Sequence, residues 1–304
     1  MQKSVALLTP TYYKDYDRFA LLCDSIDRRV TGHEHHYAVV VEADMPLFAR
    51  FSGERRTILS ASRFLPRGLK LLPALRMRHG RRIWWSFRSG LVHGWHIQQI
   101  LKCAAAATLP QQRYVVLDSD NVFIRDFDAT AYAGAEMTPL YYDPASIAAD
   151  TPMHGEWTRN CQKLLGLAPI GFPADDYIGH AIVWDQQTVR DMLARIELVT
   201  KRPWIEALCV TRAFSEYLLY GNFVRATPAH SGAHRPTTRS LVASYWDSAP
   251  LDAEGLTRFI AAASPEAVAV SAPSFSKTPL SLLRDAAQLS PTSLRDVALC
   301  DTLA

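Results

Sequence analysis

SVALLTPTYYKDYDRFALLCDSIDRRVTGHEHHYAVVVEADMP, residues 4–46, carries the first fold signal of the chain. Val5 to Leu8 is a short apolar run that Thr9-Pro10 ends, because Pro10 brings no ladder donor and restricts the residue before it. Over Asp17 to Val30, Phe19, Leu22, Cys23 and Ile26 recur at spacings of three and four, which is one face of a helix. The Val-rich run to Val41 has the composition of a buried parallel strand and leaves it through Glu42, Asp44 and Pro46. Strand, helix and strand in succession predict an α/β sheet flanked by helices, with ligands bound beyond the carboxyl ends of the strands.

The chain has 304 residues, enough for one large domain or two ordinary ones. Hydrophobic residues make up 48% and charged residues 21%, which excludes disordered, collagenous and coiled-coil classes. A net charge of +3 is too small for a general nucleic-acid binder. Positive charge is local: from Arg50 to Arg88 eleven Lys and Arg residues face one acid, Glu54. That run, with RMRHGRRIWW (76–85) at its centre, is either a solvated surface or a patch for phosphate, an anionic acceptor or an anionic leaflet. No apolar window approaches a span of about 20 residues, and the N-terminal apolar run is too short for a signal-peptide core. Five scattered cysteines fit a reducing compartment, so a cytoplasmic protein is expected, with peripheral contact at the inner face of the membrane through the basic 50–88 segment.

Further along, GWHIQQILKCAAAATL (94–109) places Ile97, Ile100, Leu101 and Ala104 on one helical face and Gln98, Gln99 and Lys102 along the polar side. RYVVLDSDNVFIRDFD (113–128) is a strand running directly into Asp118-Ser119-Asp120. Two carboxylates at the end of a buried strand repel each other and lose hydration, and a divalent cation removes both problems. Their oxygens suit Mg²⁺ or Mn²⁺, which share remaining coordination with water and substrate phosphates. Asp118 and Asp120 are therefore read as ligands of a cation bridging a diphosphate, and Lys102 as a further cation for that diphosphate. Trp95 and Gln99 would add an aromatic face and an amide beside it. Glu42 and Asp44 either accept hydrogen bonds from a base or ribose or only bound their strand.

In this arrangement the chain resembles the GT-A class of nucleotide-sugar-dependent glycosyltransferases, across roughly residues 4–235. The segments LLTPTYYKDY, GWHIQQILK, VVLDSDNVF and FSEYLLYGNF are similar to those of a bacterial group of GT-A-like proteins associated with surface polysaccharide formation. The resemblance implies a GT-A-like Rossmann-type mixed sheet and a metal-dependent, hexosyltransferase-like activity. The sugar would pass from a nucleotide-diphosphate donor to a glycan or lipid-linked glycan acceptor. By the same resemblance Thr9, Pro10, Thr11 and Tyr12 meet the nucleotide, Ser119 joins the motif at the donor, and Gly179 with His180 forms the Gly-containing donor loop. Glu216 is the helix-borne acidic residue of the acceptor region, and His230 or His234 joins the metal, His230 being preferred; Asp175 and Asp176, just before the Gly179 loop, either bind sugar hydroxyls or only cap a turn. Core-like Phe214, Tyr217, Leu218 and Tyr220 around Glu216 would desolvate its carboxylate, the setting of a general base.

Residues 1–240 are expected to form the catalytic domain and 241–304 a helical extension docked on the core through Leu282, Leu283 and Leu289. Two other readings compete. A nucleotidyltransferase acting on sugar phosphates also uses carboxylate-bound Mg²⁺, but Thr-Pro-Thr-Tyr stands where its Gly-rich, basic triphosphate loop would be. A non-catalytic carbohydrate-binding protein would keep the fold without turnover.

Overall fold

A computed structural model describes residues 4–76, 82–133 and 135–288. At its centre lie β1 (Val5–Pro10), β2 (His35–Val40), β3 (Arg56–Ser60), β4 (Arg113–Val116) and β5 (Ile182–Asp185), in the order β3-β2-β1-β4-β5. The first four run parallel and β5 pairs antiparallel with β4. Five principal helices flank this sheet: α1 (Tyr16–Arg29), α2 (Gly94–Thr108), α3 (His154–Leu165), α4 (Gln186–Thr200) and α5 (Glu216–Ala226).

The two-residue period of a strand sorts its side chains between two cores. Val5 and Leu7 of β1, Ala38 and Val40 of β2, and Val115 of β4 pack with Phe19, Leu22 and Ile26 of α1. Ala6, Leu8, Val39, Tyr114 and Val116 point the other way, into a core shared with Ile97 and Leu101 of α2, Met192 of α4 and Leu218 of α5. Both faces are covered, so the strands read as continuous apolar runs rather than as alternating ones. Strands β2 and β3 lie on one side of β1 and β4 on the other. Connections therefore leave β1 and β4 in opposite directions and open a crevice beyond Pro10 and Val116.

Three expectations change. NFVRATP (222–228), whose Phe and Val before Thr-Pro suit a strand, is helical as far as Ala226 in α5. Tyr217 to Val224 are buried all round, which leaves no polar face to reveal a helical period, while Ser215 caps the start by accepting from the Leu218 N–H at 3.5 Å. Residues beyond 240 are not simply a helical extension. Val242–Ser244 pairs with Ala269–Ser271, and the latter pairs antiparallel with Asn121–Phe123, directly after the Asp118-Ser119-Asp120 turn. Helices Ala253–Ala262 and Leu280–Gln288 then close a third core, where Leu256, Ile260 and Leu283 meet Leu21, Val122 and Ile124. Leu283 is buried in that third core and Leu282 packs beside it, whereas Leu289 lies outside the described residues. Finally, the basic run is not one surface patch. Arg56 pairs with Asp27 at 2.7 Å and donates to His36 Nδ1 at 2.8 Å, and Arg82 clamps Asp44 with two bonds of 2.6 Å. Residues 77–81 of that run lie outside the described residues.

Candidate functional site

Beyond the ends of β1 and β4 is a cleft of about 780 Å³. The strand RYVV is buried throughout, so the first side chains able to meet solvent after it are those of the following turn. Asn121 closes that turn, its backbone N–H and its side-chain amide both donating to the Asp118 carbonyl, at 3.2 and 2.7 Å. Helix α2 supplies one wall. Trp95, Gln98, Gln99 and Lys102 lie at i, i+3, i+4 and i+7, one stripe along its side, and all four line the cleft. Gln99 and Lys102 are nevertheless buried, at 2% and 5% exposure, because the stripe faces other protein rather than water. Helix α5 brings Glu216 to the same place at its first turn.

Lys102 is the hub. Its ammonium lies 2.7 Å from Asp118 Oδ1 and 2.8 Å from Glu216 Oε1, donates to the Tyr217 hydroxyl at 3.1 Å, and sits 4.7 Å from that ring's centroid. Burial alone would depress the Lys102 pKa, but Asp118 and Glu216 outweigh it and hold the group well above its ordinary value. In return Lys102, and after it His180, hold Asp118 below the usual carboxylate range against the effect of burial. His180 Nδ1 stands 3.6 Å from Asp118 Oδ2. On its other side Nε2 meets Ser271 Oγ at 3.4 Å, and the Trp246 ring stacks on the imidazole at 5.3 Å.

Among the described residues Asp120 has no ion pair of this kind, although the charges of His180 and Arg18 act on it. Burial pushes its pKa up, the Asp118 charge adds to this and His180 opposes it. Its Oδ1 is buried with no hydrogen-bond partner among the described residues. Asp15, from the loop after β1, faces the same turn. Its pKa is raised to about 7, by burial first and then by Asp120, with Arg18 pulling the other way. In all, six carboxylates (Asp15, Asp118, Asp120, Asp143, Asp176 and Glu216) line the cleft against Arg18 and Lys102. A hard divalent cation fits this set: the donors are oxygens, and one of them is a buried acceptor without a donor. Among the described residues no group of three or more His, Cys, Asp or Glu is drawn together as a ready cage.

The far end of the cleft is aromatic. The Trp95 and Trp157 rings lie 5.4 Å apart at 34°, and His154 stacks on Trp157 at 5.0 Å and 22°. Nδ1 of His154 meets Asp176 Oδ2 at 2.8 Å. Met153, just before α3, is 62% exposed and sits at φ 61°, a left-handed conformation that a residue other than glycine adopts only at a cost.

Pro10, Trp95, Gln99, Lys102, Asp118, Ser119, Asp120, Asp176, Gly179, His180 and Glu216 thus converge. At Gly179 an added Cβ would lie 3.0 Å from Ile182 Cδ1 and 3.1 Å from the Tyr141 ring, so the loop runs tight against its support. The remaining candidates do not line the cleft. Thr9 is buried in β1, bonded to His36 Nε2 at 3.0 Å, and Thr11 serves the turn by accepting from the Ser119 hydroxyl at 2.8 Å. Tyr12 packs against Tyr13, and Glu42 is exposed on the turn after β2, whose other acid, Asp44, is held by Arg82. Asp175 accepts from the Ala145 N–H at 3.1 Å, outside the cleft. His230 is the clearest correction. It lies in the short helix Pro228–Gly232, with Nδ1 3.1 Å from Thr188 Oγ1 and Nε2 3.2 Å from Asp191, because α5 carries the chain away from the motif. His234 is buried against the Tyr220 hydroxyl at 2.7 Å. The imidazole beside Asp118 is that of His180.

Sequence reasoning missed Asp15, Arg18, His154, Trp157, Trp246 and Tyr217. A signal existed for the first two, an acid and a base within one helical turn after the strand-ending Thr-Pro; Trp246 gave none, because strand pairing far along the chain places it.

The family comparison takes in this whole unit, since a family model matches residues 4–285. The chain belongs to DUF6492, a family of unknown function. The match to DUF6492 includes both the Asp118-Ser119-Asp120 turn and the Ala269–Ser271 strand that backs it. Among curated proteins none matches the chain.

Proposed function

We propose that this protein is a cation-dependent glycosyltransferase of the GT-A type, moving a sugar from a nucleoside-diphosphate donor to a hydroxyl of a glycan or lipid-linked glycan in bacterial surface polysaccharide biosynthesis. One observation carries the reading. Asp118, Asp120, Lys102 and Glu216 meet in one cleft beyond β1 and β4, where the strand order reverses. A cleft with six carboxylates would repel a diphosphate, so cation and donor are expected to bind together. Asp118 and Asp120 would hold Mn²⁺ or Mg²⁺, whose contribution is Lewis-acid neutralisation of the charge on the departing diphosphate.

The protein's own groups supply the rest. Lys102, shared by Asp118 and Glu216, would meet the diphosphate of the donor, and sharing its ammonium with the donor would loosen its hold on Glu216. The acceptor oxygen then bonds to the anomeric carbon as the bond from that carbon to the diphosphate oxygen breaks, the leaving nucleoside diphosphate keeping the electron pair. The acceptor proton passes to Glu216. Trp95, Trp157 and the His154–Asp176 pair form the acceptor end, where aromatic faces meet the C–H face of a sugar and Asp176 its hydroxyls. The test is release of nucleoside diphosphate from a panel of nucleotide sugars with Mn²⁺. Turnover is expected for one of them, with Glu216→Gln lowering it by about 10²–10⁴ while donor affinity is retained. A fully active Glu216→Gln enzyme would remove the base assignment.

A further inference from the structure

The antiparallel meander of Lys70–Arg76, Arg82–Ser86 and Gly90–His93 has two unlike faces near its tip. Leu71, Trp84 and Val92 form one cross-strand row that packs into the main core. The neighbouring row, Lys70, Trp85 and Leu91, faces outward, with Leu91 51% exposed. Phe87 stands at the tip, 93% exposed, its ring edge-on to Trp85 at 4.4 Å. This display is built. The Ser86 and Ser89 hydroxyls lie 2.6 Å apart, the Ser89 N–H donates to Ser86 Oγ at 3.1 Å, and Gly90 takes φ 69° to close the turn. An ordered turn that holds a phenylalanine in water has no rationale in the fold of this chain.

The charges around it are basic. Arg67 and Lys70 are exposed, and the Arg88 side chain is 75% exposed, touching Glu206 at 3.1 Å, an acid that Arg202 also shares. We propose that this hairpin tip docks the protein on an anionic phospholipid surface, Phe87 and Leu91 entering the interface while Arg67, Lys70 and Arg88 meet the headgroups. One phenylalanine and one leucine are far less than the roughly 800 Å² per partner that a stable protein interface buries, which favours a lipid surface over a second copy of this chain. The inference stands apart from the catalytic reading and is tested without it.

The experiment is co-sedimentation of the full chain with vesicles of phosphatidylethanolamine and phosphatidylglycerol, against vesicles of phosphatidylcholine alone, at low and high salt. Binding is expected to the anionic vesicles, weakening as salt rises. Phe87→Glu and Leu91→Glu, each with an unchanged melting temperature, should weaken it by about tenfold or more. Lys70→Glu should weaken it and reduce its salt dependence. The proposal is overturned if the protein stays in the supernatant with anionic vesicles, if it binds both vesicle types alike at every salt concentration, or if Phe87→Glu sediments as the unaltered protein does. A concentration-dependent dimer that Phe87→Glu abolishes overturns it as well, in favour of self-association.

Discussion

Lys102 shows how one buried residue can be structural and functional at once. Two carboxylates share its ammonium, so deleting it leaves the buried Glu216 uncompensated and the half-buried Asp118 facing His180 alone. Lys102→Met should lower unfolding free energy by about 3–5 kcal/mol in urea titration, and adding Glu216→Gln should restore part of that loss. A second residue-scale prediction concerns acid stability. His36 accepts from Arg56 Nε at 2.8 Å and is held well below its ordinary pKa by burial and then by Arg56, while His33 is lowered to about 4 by burial, Arg55 and Arg56. Both bind a proton more readily in the unfolded chain, whose histidines titrate near 6.5. The unfolded state therefore holds more protons below that pH. The histidines should make stability fall as pH drops from about 6.5 toward 4, His33 alone accounting for up to about 3 kcal/mol, while Asp15, raised to about 7, contributes in the opposite sense over the same range. Chemical denaturation across this range checks it, and His33→Gln should flatten the fall. Lys102 was legible as a site residue from its place in the helix stripe. Its pairing with Glu216, more than a hundred positions away, was not, because no local pattern encodes which buried charge a lysine meets.

At the scale of elements, α5 fits against the loop that carries Gly179 and His180. A Cβ at Gly221 would lie 2.0 Å from the Tyr177 ring, so only glycine permits this approach. Gly221→Ala should cost about 1–3 kcal/mol, seen as a lower melting temperature, and should weaken cation and donor binding by displacing the 174–180 loop. The strand, helix and strand of the first 40 residues, the helix at 94–108 and the strand entering Asp118 were readable because their apolar residues follow one clear period. Helix α5 was not, because burial on all sides erases the period, and His230 was misplaced with it. The strand Ala269–Ser271 is three residues long and owes its existence to pairing with Val242–Ser244 on one side and Asn121–Phe123 on the other.

Over the whole molecule, the Asp118-Ser119-Asp120 turn depends on residues more than a hundred positions later. Ending the chain at Ser240 would remove Ala269–Ser271 and the third core, stripping cover from Val122, Ile124 and Leu21. Such a fragment should lose cooperative unfolding by circular dichroism, and a fragment that melts as sharply as the full chain would show that 1–240 folds alone. The central claim is that the cleft takes a nucleoside diphosphate and a divalent cation together. Its most direct test is a thermal-shift comparison of UDP, GDP, CDP and dTDP, each with Mn²⁺ and with EDTA, because a ligand that binds only the folded state raises the melting temperature. The account predicts a rise for one nucleotide that requires Mn²⁺ and vanishes in Asp120→Asn; a nucleotide-dependent rise that persists in EDTA and in Asp120→Asn, or no rise with any of the four, would contradict it.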